Sequence, residues 1–155
     1  MGLITLVYVS FANKKMTEEE LVTILDTART NNKELDVTGM LLYRDGFFIQ
    51  ALEGEQDIVE PLFAKISQDE RHKNILTVYQ NSIQERSFSD WSMGFNRLED
   101  SDLEELEGFN GMLNANFFAD KPSRAVSLLE SFRNRSYFWA IKQQMHGYTH
   151  RMPMQ

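Results

Sequence analysis

Gln50 stands in the middle of the apolar run "FFIQALEG" (47–54). The run has the composition of a strand, bounded by Asp45-Gly46 before it and by "GE" at its end, and successive side chains of a strand point to opposite faces. Phe47, Ile49 and Ala51 then share one face, and Phe48, Gln50 and Leu52 share the other. If both faces are covered the amide is buried, where lacking hydrogen-bond partners costs about 1–3 kcal/mol. On "LITLVYVS" (3–10), Tyr8 shares a face with Ile4 and Leu6, and a buried phenol also wants a partner. Both groups can be read as ordinary core residues. They can also be read as two polar groups converging in an apolar layer, which is how a small-molecule site is built.

Other positions carry the same double reading. Counting four on from Ala28 reaches Asn32, so an amide extends the inward stripe of a helix, although "NN" at 31 and 32 also serves as a helix stop. Lys65, Asp69, Arg71 and His72 in "KISQDERHK" read as the solvated end of a second helix, or as a receiver of phosphate. The chain has no Walker loop and no G-x-G-x-x-G, so a nucleotide would have to be held by other means. His146 and His150 are four apart, but Gly147 lies between them and no third ligand is near, so no metal centre is expected. No Ser/His/Asp constellation or paired catalytic carboxylate stands out.

Composition narrows the classes further. With no cysteine there is no disulfide, thiolate nucleophile or thiolate-held metal. Sixteen Lys and Arg against 23 Asp and Glu leave a formal net charge of −7, which argues against a nucleic acid or an anionic membrane as partner. The apolar N-terminal stretch lacks a basic lead-in and a cleavage site and is too short to span a bilayer, so a cytoplasmic setting is expected.

The elements that must position these residues follow from pattern. After the strand at 3–10, Thr17 and Glu20 form a capping box, and Leu21, Ile24, Leu25 and Ala28 recur at helical spacing, ending near Asn31-Asn32. "VTGMLLYR" and "FFIQALEG" flank Asp45-Gly46 as a hairpin. A second helix carries Ile58, Val59, Leu62, Phe63 and Ile66, with Pro61 requiring a late start or a kink. Strands are predicted at 75–83 and 91–98, the latter placing Trp91, Met93 and Phe95 on one face. The order β-α-β-β-α-β-β predicts an α+β, ferredoxin-like sheet with two helices on one face. The other face needs a cover, and the apolar positions of "SRAVSLLESFRNRSYFWAIKQQ" can supply it as a C-terminal helical cap. The expected division is 1–98 and a helical extension, 99–155, whose "HRMPMQ" end is read as disordered.

Taken together, Tyr8, "NN…VTGMLLY" (31–43), "FFIQALEGE" (47–55), "DERH" (69–72) and "FSDWSM" (88–93) resemble the BLUF family, sensors of blue light using FAD, from Leu3 to about Leu98. The helical tail is more weakly similar to that of short, stand-alone PixD-type members. The resemblance implies FAD, with FMN or riboflavin as possible substitutes, its ring lying between the two helices. It implies that Asn32 holds the O4 edge of the ring with Asn31 beside it, and that Ile24, Leu25, Ala28, Ile66 and His72 wall it. It implies that Gln50 bridges Tyr8 and the N5/O4 edge, with Trp91 or Met93 near the glutamine. Lys65, Asp69 and Arg71 match positions near the ribityl and phosphate end, lysine at 65 keeping the charge of the family's frequent arginine without its two-pronged fork.

In this reading Tyr8 supplies an electron and then a proton to the excited ring, and transfer through Gln50 and back leaves an altered hydrogen-bond pattern with no net reaction. The chain is then a photosensory switch and not an enzyme. Its implied partners are further copies of itself and a response-regulator-like protein. Two competing readings are a flavin-dependent oxidoreductase, for which no dinucleotide fingerprint is present, and a flavin-free ferredoxin-like binding module.

Overall fold

A computed structural model describes residues 2–145 other than 107, 110 and 112, with side chains described through Asn134. The histidine pair His146 and His150 and the "HRMPMQ" end lie outside the described residues. Among the described residues, five strands and five helices follow in the order β1 (Leu3–Ala12), α1 (Glu18–Leu35), β2 (Thr38–Arg44), β3 (Phe47–Glu55), α2 (Gln56–Ser67), β4 (His72–Ser82), β5 (Gly94–Arg97), α3 (Asp100–Glu104), α4 (Ala115–Asp120) and α5 (Ser123–Met145). They form one sheet of order β4-β1-β3-β2-β5, in which only β5 runs parallel to its neighbour. This is the expected α+β, ferredoxin-like arrangement with one added strand.

Period-2 alternation sorts β3 as the sequence requires. Phe48 and Leu52 join Ile4, Leu6 and Tyr8 beneath Leu21 and Leu25 of α1 and Val59 of α2. Phe47, Ile49 and Ala51 face the other way, against Phe117 and Phe118 of α4 and Ala125, Leu128, Leu129 and Phe132 of α5. The C-terminal helices thus close the second face, and the rings of Phe47 and Phe118 stack at 5.6 Å. The turn between β2 and β3 places Asp45 and Gly46 at φ 45° and 90°, the left-handed pair that a tight hairpin of this twist demands.

Helix α1 starts as expected: the Glu20 N–H donates to Thr17 Oγ1 (3.1 Å) and the Thr17 N–H to Glu20 Oε1 (3.0 Å). Its end differs from expectation. Asn31 and Asn32 do not stop it; it runs to Leu35, and Asp36 takes the left-handed cap at φ 56°. Asn32 stays helical because its side chain is satisfied across the fold and need not turn back on its own backbone. Helix α2 begins at Gln56, so Pro61 falls in its second turn, where its ring replaces the N–H that would have bonded the Asp57 carbonyl.

Two strand boundaries also move. Strand β4 begins at His72, three residues before the predicted start, because His72 pairs with Ala12. Strand β5 contains only residues 94–97. Trp91 and Met93 therefore do not share a face: Trp91 packs with the cap-side cluster and Met93 with the cluster under α1 and α2. The reason is that the carbonyls of residues 91–93 are held by Gly39, Asn32 and Arg29 and not by an unbroken ladder.

Candidate functional site

A cavity of about 560 Å³ opens between α1 and α2 over the centre of the sheet. Its floor is Tyr8 of β1, Leu41 of β2 and Phe48, Gln50 and Leu52 of β3. One wall is Ile24, Thr27, Ala28, Asn31 and Asn32 of α1, with Met16 just before that helix. The other is Leu62, Lys65 and Ile66 of α2, continued by Gln68, Asp69, Arg71 and His72. Among the described residues no group of three His, Asp or Glu side chains is placed to hold a metal ion.

Three of the expected site residues are not in that lining. Leu25 is 1% exposed and packs into the core beneath the wall, since it sits a residue further round the helix than Ile24 and faces the sheet. Met93 packs in the cluster under α1 and α2 and touches the site through Gln50. Trp91 packs on the opposite side of the sheet, 6.4 Å from the Phe88 ring, while Met93 adjoins the glutamine.

Tyr8 and Gln50 face each other across the β1–β3 ladder, and both are buried. The Tyr8 hydroxyl donates to Gln50 Oε1, and Gln50 Nε2 donates to Met93 Sδ at 3.4 Å. The buried amide thus has its partners, with a second N–H in hand. The Tyr8 ring tilts against Phe63 at 5.1 Å and meets the His72 ring edge-on at 6.5 Å. Burial, with a smaller contribution from the Asp69 carboxylate, pushes the phenol well above its ordinary pKa. Tyr8 holds its proton firmly.

Asn32, 3% exposed, lines the cavity and donates through Nδ2 to the Ser92 carbonyl (2.9 Å), so its own carbonyl oxygen is not engaged in that bond. His72 closes the far wall: Nε2 lies 2.7 Å from the Ile66 carbonyl, which can only accept, so Nε2 donates there, and Nδ1 lies 3.0 Å from Ser10 Oγ. Arg71 is committed to Asp69, with Nε 3.0 Å from both carboxylate oxygens and its backbone N–H 2.9 Å from Oδ1. That pairing, chiefly the side-chain hydrogen bonds, holds the Asp69 carboxyl at about 2. Lys65 is the cavity-lining cation without an ion pair among the described residues.

Sequence reasoning passed over Glu53, Arg29 and part of the lining. Glu53, 1% exposed, accepts from the N–H groups of Ser87 (2.7 Å) and Phe88 (2.9 Å) and from the Thr38 hydroxyl (3.1 Å). It ties the irregular segment before β5 to the strand that carries Gln50. Its signal was available: position 53 continues the apolar face of 47, 49 and 51, and a carboxylate there is as anomalous as Gln50 on the other face. Arg29 follows Leu25 by four and precedes Asn32 by three, so it too interrupts an inward stripe.

The residues fit a flavin. Apolar faces of two helices bound a slot for a flat ring, and at its floor and one wall the spare Gln50 N–H and the Asn32 carbonyl offer a donor and an acceptor to a heterocycle edge that mixes both. A positive side chain lines the other wall.

Fold and site together define an α+β module with a slot for a flat heterocycle between its two helices. The chain belongs to the BLUF family, whose model, sensors of blue-light using FAD, matches residues 3–94. The photoactivated adenylate cyclase subunit beta of Euglena longa is 42% identical over 92 residues, which are 59% of this chain and 11% of that protein. The chain thus spans about a tenth of the length of that relative. Among solved structures, BlsA in its photo-activated state superposes with a TM-score of 0.70 at 33% identity, covering 84% of this chain and 94% of that one. BlrB, a BLUF protein in its dark state, gives 0.66 at 28% identity, covering 86% and 97%. A bacterial light-regulated adenylyl cyclase gives 0.60 at 33% identity but is covered over only 36% of its length.

Proposed function

We propose that this chain is a blue-light receptor that holds FAD between α1 and α2 and signals by a light-driven change in the hydrogen bonds of Gln50. The observation that carries the reading is the buried relay from the Tyr8 hydroxyl to Gln50 Oε1 and from Gln50 Nε2 to Met93 Sδ, in the floor of the slot between the sheet and its two helices. Asn32 and Gln50 would hold the O4 edge of the ring with Asn31 beside them, and Ile24, Ala28, Ile66 and His72 would exclude water from its faces. Lys65 serves the phosphate end, while Arg71 orients Asp69. FMN or riboflavin would use the same ring contacts. When bound, a flavin would supply blue absorption and, in its excited state, an oxidant for the phenol of Tyr8.

The chain does the rest. In the dark the Tyr8 proton is confined to the bond with Gln50 Oε1, because burial makes its release costly. Loss of an electron makes the phenol acidic, and the amide is the acceptor in reach. When electron and proton return to Tyr8, Gln50 can be left rotated or tautomerised, with its donor and acceptor ends exchanged. Its bond to Met93 must then change, and Met93 lies on the segment whose Trp91 and Phe88 pack on the cap side of the sheet. The signal passes through that segment to the helices after residue 98, which meet a second copy or a response-regulator-like partner. No net reaction is catalysed.

Purified protein tests this directly. It should be yellow, shift its visible band to the red under blue light and revert in darkness. Colourless protein, or yellow protein bleached by NAD(P)H without a photoshift, would overturn the proposal.

A further inference from the structure

Three successive carbonyls ahead of β5 are held from outside their own segment. The Gly39 N–H donates to the Trp91 carbonyl (3.1 Å), Asn32 Nδ2 to that of Ser92 (2.9 Å) and Arg29 Nε to that of Met93 (2.8 Å). The segment has no regular secondary structure, so these bonds decide its course. Their effect is to send Trp91 to one face of the sheet and Met93 to the other.

Met93 is the member of the relay with the least intrinsic preference for one position. Its side chain has three rotatable bonds and a thioether that accepts weakly, so the place of its sulfur depends on where its backbone is fixed. Arg29 acts on that backbone at the residue itself, with a charge-assisted bond stronger than a neutral one. Unlike Asn32, Arg29 does not line the cavity.

We propose that Arg29 is a positioning residue for the light response: by gripping the Met93 carbonyl it holds the sulfur against Gln50 Nε2, and so sets the dark orientation of the amide and the lifetime of the lit state. This rests on the photoreceptor reading above. Arg29 lies outside the cavity lining, and its influence runs through Met93.

The test is a double-mutant cycle on flavin-loaded protein, comparing wild type, Arg29→Ala, Met93→Leu and the double variant after a blue flash. Arg29→Ala should keep its flavin and change the dark-recovery rate by about fivefold or more, as loss of a bond that bears on the barrier would. Arg29→Lys, which keeps a cationic donor, should recover part of the change. In the Met93→Leu background, Arg29→Ala should add nothing. A second readout needs no photocycle: in dark-state NMR spectra the Gln50 side-chain amide signal should move in Arg29→Ala as it does in Met93→Leu, and no further in the double variant. If Arg29→Ala does not fold, Arg29→Gln is scored by the same criteria. An unchanged recovery rate and unchanged amide signal, or an effect of equal size in both Met93 backgrounds, would overturn the assignment. A wild-type protein that binds no flavin or shows no photoshift removes the photoreceptor reading itself, and the inference falls with it.

Discussion

Replacing Tyr8 by phenylalanine removes one oxygen and little else. The ring contact with Phe63 at 5.1 Å and the packing with Ile4 and Leu6 remain, so the floor of the cavity keeps its shape. What is lost is the donor to Gln50 Oε1, at a residue only 7% exposed, so a buried acceptor is left unpaired. That costs about 1–3 kcal/mol of folding stability. For a chain of this length each kcal/mol corresponds to about 2–4 °C in Tm. The optical consequence is larger than the thermodynamic one. Tyr8→Phe should bind flavin with a near-normal dark spectrum, because the ring contacts assigned to Asn32, Ile24, Ala28 and Ile66 do not involve the hydroxyl, yet its red shift under blue light should disappear. The assay is a light-minus-dark absorption spectrum at matched flavin occupancy, paired with urea unfolding in the dark. A full-sized photoshift in Tyr8→Phe would refute the reasoning, since no route through Gln50 Oε1 would then be needed.

Glu53→Ala should remove the acceptor of the Ser87 and Phe88 N–H groups, costing about 1–3 kcal/mol for the buried Phe88 donor, and amide exchange at those two positions should quicken well before global unfolding. Phe118→Ala removes a fully buried ring stacked on Phe47 and should cost about 3–5 kcal/mol, read as a lower urea midpoint. The Asp69 carboxyl lies at about 2, below its ordinary value, so its pairing with Arg71 favours the folded state above about pH 4 and loses that effect as pH falls through 2. The stability difference between wild type and Asp69→Asn, measured by denaturant titration, should therefore shrink from pH 5 to pH 2; a difference that grows on acidification would contradict the sign.

Much of the floor of the site could be read from residue order because a strand has a period of two. Once β1 and β3 pair with their matching apolar positions on one face, Tyr8 and Gln50 share that face, and the register sets them directly opposite each other. The capping box at Thr17 fixed where α1 begins for an equally local reason. What local pattern could not decide was set by contacts distant in sequence. Asn31-Asn32 looked like a stop because the Ser92 carbonyl, sixty residues away, is invisible to a helical window. Alternation from Trp91 to Phe95 looked like a strand because the bonds that break it come from Gly39, Asn32 and Arg29. The Asp69–Arg71 pair is likewise a turn contact, where sequence suggested a charged helix end.

The most direct measurement is the light-minus-dark infrared difference spectrum of the flavin-loaded protein beside that of Gln50→Leu. If the amide exchanges its donor and acceptor ends, the flavin C4=O stretch moves to lower frequency in the light in wild type, reflecting a stronger hydrogen bond, and stays put in Gln50→Leu. A carbonyl band that does not move in wild type, or that moves equally in both proteins, would contradict the account.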